Sequence, residues 1–327
     1  MKAGYSWTVA LAALVACSSN PTGPVEDQLG VGGKADEVGT DGGSTGDTDD
    51  AMASACPPAA EVFPDAWPQG GPACGSEPAL SVHRYDDDTF IIRQSLCTSF
   101  EAPFIYLLFG EDRVLMEDSG AGGVPIRDVV FDVIAQWLER NDRESIELVL
   151  INSHAHGDHV AGNGQFEGVP GVEVVGFGVG DIATFFDIDW PEEAGEIDLG
   201  GRVIDVLPIP GHEASHVALY DRNDQLLLTG DTVYPGRLFI DDFQTYTHSL
   251  ERLTAFSQDN PVCWVLGTHI EMTDQPGVDF QFGVQHHPDE HMLQMTPGHL
   301  VEIVDALRDM GNAPRREAHD DFIVFPL

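Results

Sequence analysis

Lysine is almost missing from this chain. Lys2 and Lys34 are its two lysines, and 15 basic residues face 55 acidic ones, for a formal net charge of −40. A phosphate backbone would be repelled, which argues against a nucleic-acid substrate or partner. The charge is spread along the chain and reads as a solvated acidic surface that favours solubility. Cysteine is sparse, and no CxxC pair occurs, so neither a zinc ribbon nor a thioredoxin-type site is supported. A long hydrophobic run is also lacking. The apolar stretch at residues 9–16 is too short to span a membrane.

That stretch has another use. Lys2, a short apolar run and small residues before Cys17 form a secretory signal, expected at residues 1–16. Leu14, Val15, Ala16 and Cys17 also resemble a bacterial lipobox, which would leave Cys17 as a lipidated first residue. The expected location is therefore the bacterial cell envelope, with membrane contact only through that lipid. Residues 18–54 are rich in Gly, Ser, Thr, Asp and Pro, with almost no large apolar side chains. Such a segment cannot repay the entropy of folding and reads as a flexible tether. Residues 17–78 are expected to combine this tether with a disulfide-bearing lead-in, and residues 79–327 to form the folded domain. An exported chain can form disulfides. Cys56 and Cys74 bracket a Pro/Gly-rich loop and are the expected pair. Cys97 and Cys263 lie in apolar segments, where they either pair or sit as small buried hydrophobes.

Beyond Ala79 the pattern is globular, and hydrophobic residues make up 42% of the chain, enough for a large core. Residues 89–96, 104–109 and 113–116 read as strands. Residues 126–140 follow Pro125 and place Ile126, Val129, Val130, Val133, Ile134, Trp137 and Leu138 on one helical face. Further strands are predicted at 146–151, 172–175, 202–207, 216–220, 225–228, 261–266 and 322–325. A helix is expected at 243–256, and a last one begins at Pro297, capped by Thr296 and ended by Gly311. Strands interspersed with helices suggest sheets covered by helices.

Chemistry concentrates just after the strand at 146–151. His154, His156, Asp158 and His159 fall within six residues. A loop at a strand end can aim several such ligands at one point, as a hydrolytic zinc site requires. The plainer alternative is a solvated His-rich loop, but three downstream positions supply partners. His212 ends the turn that begins at Pro208, Asp231 follows Gly230, and His269 follows Gly267 and Thr268. Each comes after an apolar strand and a glycine-containing turn, so strand ends in one sheet could bring them to the His loop.

With this ordered set, the chain from about residue 80 to 327 resembles the metallo-β-lactamase fold superfamily. The resemblance implies an α/β fold, an αβ/βα four-layer sandwich with a dinuclear metal site at one edge of two sheets. His154, His156 and His212 would then bind one metal, Asp158, His159 and His269 the other, and Asp231 would bridge them. Two Zn²⁺ ions per chain are expected, with iron or manganese as alternatives for the same imidazole and carboxylate donors. Asp158 would be the catalytic acid–base group.

The implied activity is hydrolysis of a small ester, lactone, thioester or amide. A noncatalytic metal-binding lipoprotein of the same fold is the alternative from another class. Among enzymes, Asp231 replaces the cysteine of one group of true β-lactamases, which weighs against β-lactams. A glyoxalase-II-like thioesterase would need basic residues for its anionic substrate, and the domain has no lysine. A flavodiiron oxidoreductase would need a flavin module, and none follows. Arg237 is a candidate for a substrate carboxylate or for an ion pair with Asp241 or Asp242. His216 reads as a support for the site, His248 as a partly exposed helix residue, and His286, His287 and His291 as structural or surface residues.

Overall fold

The computed structural model describes residues 56–327; the expected signal segment, Cys17 and tether lie outside them. The first sheet runs β1 (Leu80–Arg84), β2 (Thr89–Gln94), β3 (Phe104–Phe109), β4 (Arg113–Glu117), β5 (Glu147–Ile151) and β6 (Val172–Val174), in that order. Pairing is antiparallel through β4 and parallel from β4 to β6. The strands β7 (Gly195–Asp198), β8 (Val203–Pro208), β9 (Val217–Asp221), β10 (Leu226–Gly230), β11 (Arg237–Ile240), β12 (Trp264–Gly267), β13 (Gln294–Met295), β14 (Glu317–Ala318) and β15 (Ile323–Pro326) follow. They make a second sheet of order β13-β12-β10-β9-β8-β7 and a small third one of order β11-β15-β14.

The helices are α1 (Ala59–Val62), α2 (Ile126–Arg140), α3 (Gly157–Val160), α4 (Val179–Phe186), α5 (Phe243–Asp259) and α6 (Pro297–Met310). On α2, Ile126, Val130, Val133, Ile134 and Trp137 are buried against the outer face of the first sheet, beside Leu107, Val114 and Leu148. Helices α5 and α6 cover the second sheet through Leu250, Leu253, Leu300, Ile303 and Leu307. Between the sheets lies a third core with Tyr106, Leu115, Val149, Val206, Leu219 and Leu228. Two covered sheets with a shared middle core make the expected four-layer α/β sandwich.

Two sequence expectations change. Phe63 and Trp67 precede Ala79 yet are buried in the middle core, so packing begins before the expected domain edge. The disulfides join Cys56 to Cys263 and Cys74 to Cys97, not Cys56 to Cys74. The lead-in drapes across the domain, with Phe63 edge-on to Trp264 at 5.8 Å, so its two cysteines meet different core segments. Nearness in sequence was the wrong guide, because a draped segment pairs with what lies beneath it. Eight elements escaped the sequence reading: α1, β1, α3, α4, β7, β11, β13 and β14 are short, and several alternate too briefly to register.

Candidate metal centre

The parallel strands point their carboxyl ends to one edge. The chain leaves β4 into Asp118, β5 into His154, β8 into His212, β10 into Asp231 and β12 into His269. Two of these turns need glycine. Gly211 has φ +136°, and a Cβ there would lie 2.3 Å from the Tyr246 backbone. Gly230 has φ +49° and sits at an irregularity in the β10–β12 pairing; a Cβ there would crowd His216 at 2.7 Å. Each glycine therefore sets the direction of the ligand that follows it.

All seven predicted residues come together. His154, His156, His212 and Asp231 form one group, and Asp158, His159, Asp231 and His269 a second, with donor atoms in each within 4.8 Å of one another. His156 Nδ1 lies 2.9 Å from His154 Nε2 and 3.1 Å from His212 Nε2. Asp231 Oδ2 is 3.8 Å from His154 Nε2, 3.6 Å from His212 Nε2 and 3.4 Å from His159 Nε2. Its Oδ1 is 3.2 Å from His269 Nε2. Asp158 Oδ2 stands 3.3 Å from both His159 Nε2 and His269 Nε2. A tetrahedral site with bonds of about 2.1 Å has donor–donor edges of about 3.4 Å, so both groups fit a small cation. His159 Nε2 is buried without a hydrogen-bond partner, which is what a ligand nitrogen facing a cation looks like.

Four of the five imidazoles are held from behind through their other ring nitrogen. His212 Nδ1 donates to the Phe239 carbonyl at 2.7 Å, and His269 Nδ1 to the Glu101 carbonyl at 2.8 Å. His159 Nδ1 meets Asp118 Oδ2 at 2.7 Å. Ser153 Oγ donates to that same carboxylate and accepts from His154 Nδ1. These contacts fix the ring orientations, so that the front nitrogens would turn their lone pairs to a bound cation. His216 accepts the Asp231 N–H and stacks on His154, the supporting role expected from sequence. Asp118 was missed; a carboxylate directly after the apolar β4 strand was the available signal.

The charges are unbalanced without a cation. Burial pushes the His154, His212 and His216 pKa values down, keeping those rings neutral. Burial also opposes charge on His159, but Asp231, Asp118 and Asp158 outweigh it and raise its pKa well above the ordinary value. His269 is raised likewise, by Asp231 and Asp158. Burial works against the charged forms of Asp158 and Asp231, yet the facing imidazoles hold both well below the usual carboxylate range. Protons on His159 and His269 thus occupy the place of a positive ion, and a metal would displace them.

Residues 99–262 match the model of the Metallo-beta-lactamase superfamily. The chain belongs to that superfamily. Six of the seven candidate ligand positions fall in the matched segment, and His269 lies beyond it. This superfamily member is similar to the hydroxyacylglutathione hydrolase of Methylococcus capsulatus, 35% identical over 153 residues that cover 45% of this chain and 59% of that one. It is 32% identical to the enzyme of the same name from Rhizobium meliloti, over 38% of this chain and 50% of that one. The chain thus spans little more than half the length of these curated relatives. Among solved structures, a metallo-beta-lactamase from Pontibacter korlensis is similar with a TM-score of 0.45 and 17% identity, covering 70% of this chain and 99% of that one.

The remaining candidates are placed elsewhere or already engaged. Arg237 pairs with Glu271 at 2.9 Å and Asp279 at 3.0 Å, not with Asp241 or Asp242. His287 bonds Glu290, which binds Arg93 through both oxygens. His291 and His299 share Asp321. His248 is exposed on α5. Among the described residues, no helix is long and apolar enough to cross a membrane.

Proposed function

We propose that this protein is a metal-dependent hydrolase that acts on a small ester, lactone, thioester or amide through two metal ions. The observation that carries the reading is Asp231, whose carboxylate belongs to both donor groups. His154, His156 and His212 hold the first ion, and Asp158, His159 and His269 the second. Imidazole and carboxylate donors suit zinc, and iron or manganese would also be accepted. When bound, such a pair supplies hydroxide at neutral pH and a Lewis acid for the substrate carbonyl.

The chain's own residues supply the rest. His156 is exposed while His154 and His159 are buried, so substrate approaches from the His156 side. Asp158 is ionised and partly exposed, placed to orient the attacking water and pass its proton to the leaving group. A glutathione thioester is the second reading, favoured by the names of the curated relatives. We also propose export and lipid anchoring at Cys17; the Cys56–Cys263 and Cys74–Cys97 bridges support an oxidising compartment.

Metal analysis and an ester, lactone and thioester panel test the reading. Two ions per chain are expected, with turnover falling on the order of 10²–10⁴-fold in Asp158→Ala. A metal-free purified protein with turnover unchanged by that substitution would reject it.

A further inference from the structure

The substrate class can be narrowed from a second feature beside the metal edge. On β11, Leu238 and Ile240 turn into the core beneath α5 and α6. Arg237 and Phe239 turn the other way. With Asp279, Phe280, Phe282 and Phe325 they wall a cavity of about 470 Å³. That is within the range of pockets for small organic ligands, about 300–1,000 Å³. The walls are largely aromatic, and each ring is braced by another ring. Phe239 meets Phe325 edge-on at 5.0 Å, and Phe282 meets Phe100 at 5.3 Å. The Arg237 guanidinium lies 5.8 Å from the Phe282 ring centre. Phe282 is nonetheless 64% exposed, an unsatisfied ring at the mouth.

The cavity is tied to the metal edge through the backbone. Phe239 is the residue whose carbonyl orients His212. Phe100, against Phe282, precedes Glu101, whose carbonyl orients His269. The same two segments therefore aim one imidazole of each donor group and present aromatic surface.

Its charges cancel internally. The two terminal nitrogens of Arg237 are taken by Glu271, Asp279 and the Phe280 carbonyl. Arg316 reaches Asp279 from outside at 3.5 Å, so two guanidiniums face two carboxylates. Arg237 Nε has no partner but is buried, so an anionic substrate group finds no exposed uncommitted cation in this wall, whereas an uncharged apolar group loses water against four phenylalanines. The loop bearing Asp279, Phe280 and Phe282 lies beyond the segment matched by the superfamily, whereas Arg237 and Phe239 lie within it.

We propose that this cavity receives an aryl or medium-length alkyl group of an uncharged ester, lactone or thioester. The proposal rests on the hydrolase reading and gives it a substrate class. Its test uses p-nitrophenyl acetate, octanoate, phenylacetate and hemisuccinate, which share one leaving group, with the full-length metal-loaded protein. The expected kcat/KM for phenylacetate or octanoate exceeds that for acetate by about tenfold or more, with hemisuccinate the poorest. In Phe282→Ala the phenylacetate-to-acetate ratio falls by about fivefold or more. A second arm needs no metal: the neutral fluorophore N-phenyl-1-naphthylamine should bind the chelator-stripped protein saturably and bind Phe282→Ala more weakly. Turnover without preference for apolar acyl groups, or a preference for hemisuccinate, overturns the proposal and leaves the hydrolase reading intact. Absence of all ester turnover counts against the hydrolase reading, and the fluorophore then decides the cavity: equal binding to wild type and Phe282→Ala overturns it.

Discussion

Two buried charge clusters sit at opposite ends of the sandwich, and they are built differently. At the end where β3 finishes and β8 begins, Arg202 is 3% exposed and surrounded by acceptors. It engages both oxygens of Asp221, and it reaches Asp224, the Thr89 hydroxyl and the carbonyls of Asp88 and Phe109. Every nitrogen of the guanidinium is used by protein atoms. At the metal edge, imidazoles and carboxylates face one another at donor–donor spacing, with His159 Nε2 left without a partner. The first cluster is complete as protein. The second is complete only with a cation. A buried charged cluster is thus not in itself a functional signal; an unfilled coordination geometry inside one is.

Substitutions at the two ends should separate these roles. The largest effect is expected for Asp231→Asn, which weakens the carboxylate shared by both groups. Metal content should drop below two per chain and turnover by about 10³-fold or more. The metal-stripped variant should unfold close to metal-stripped wild type; a large loss of stability there would erase the contrast. Arg202→Leu leaves Asp221 buried and uncompensated, and should cost about 3–5 kcal/mol in urea unfolding. Metal content per folded chain should stay unchanged, and loss of metal would show the two ends to be coupled.

A smaller effect is expected for Asp118→Asn, which weakens the anchor behind His159 and Ser153. Metal affinity, read by competition with a chelator, should fall about 10–100-fold. Unchanged affinity would mean that strand geometry alone orients the ring. The smallest effect lies next to Arg202. Burial, reinforced by Asp224, raises the Asp86 carboxyl to about 6. A carboxyl raised in the folded state keeps its proton there after the unfolded chain has released one. Stability is therefore lost as pH climbs from the ordinary carboxylate range through about 6. Asp86→Asn should melt like wild type near pH 4 and slightly higher at pH 7 to 8. A difference that shrinks as pH rises would contradict the assignment.

The set of candidate ligands that the fold brings together was legible because each residue follows a strand long enough to show its apolar run, and because four of them share one short loop. Helices α2 and α6 were legible through periodicity and, for α6, Pro297 and Gly311 at its ends. The short strand β11 was not, although it carries Arg237 and Phe239. Four residues offer too few alternations to distinguish a strand from a loop. Asp118 was hidden for a different reason: its partners His159 and Ser153 are 35 or more residues away.

By itself the sequence determined the chemical inventory and its order: seven potential ligands, each after a strand or in its exit loop, in a domain without lysine. These are local facts, written in single residues and short periods. The tertiary structure alone decided that Asp231 is shared, that Asp118 stands behind His159, and that Cys56 meets Cys263. It also decided that Arg237 is spent on Glu271 and Asp279 beside an aromatic cavity. Each of these is a meeting of distant segments, and sequence spacing carries no record of which strand edges and loops the packed sheets will bring together.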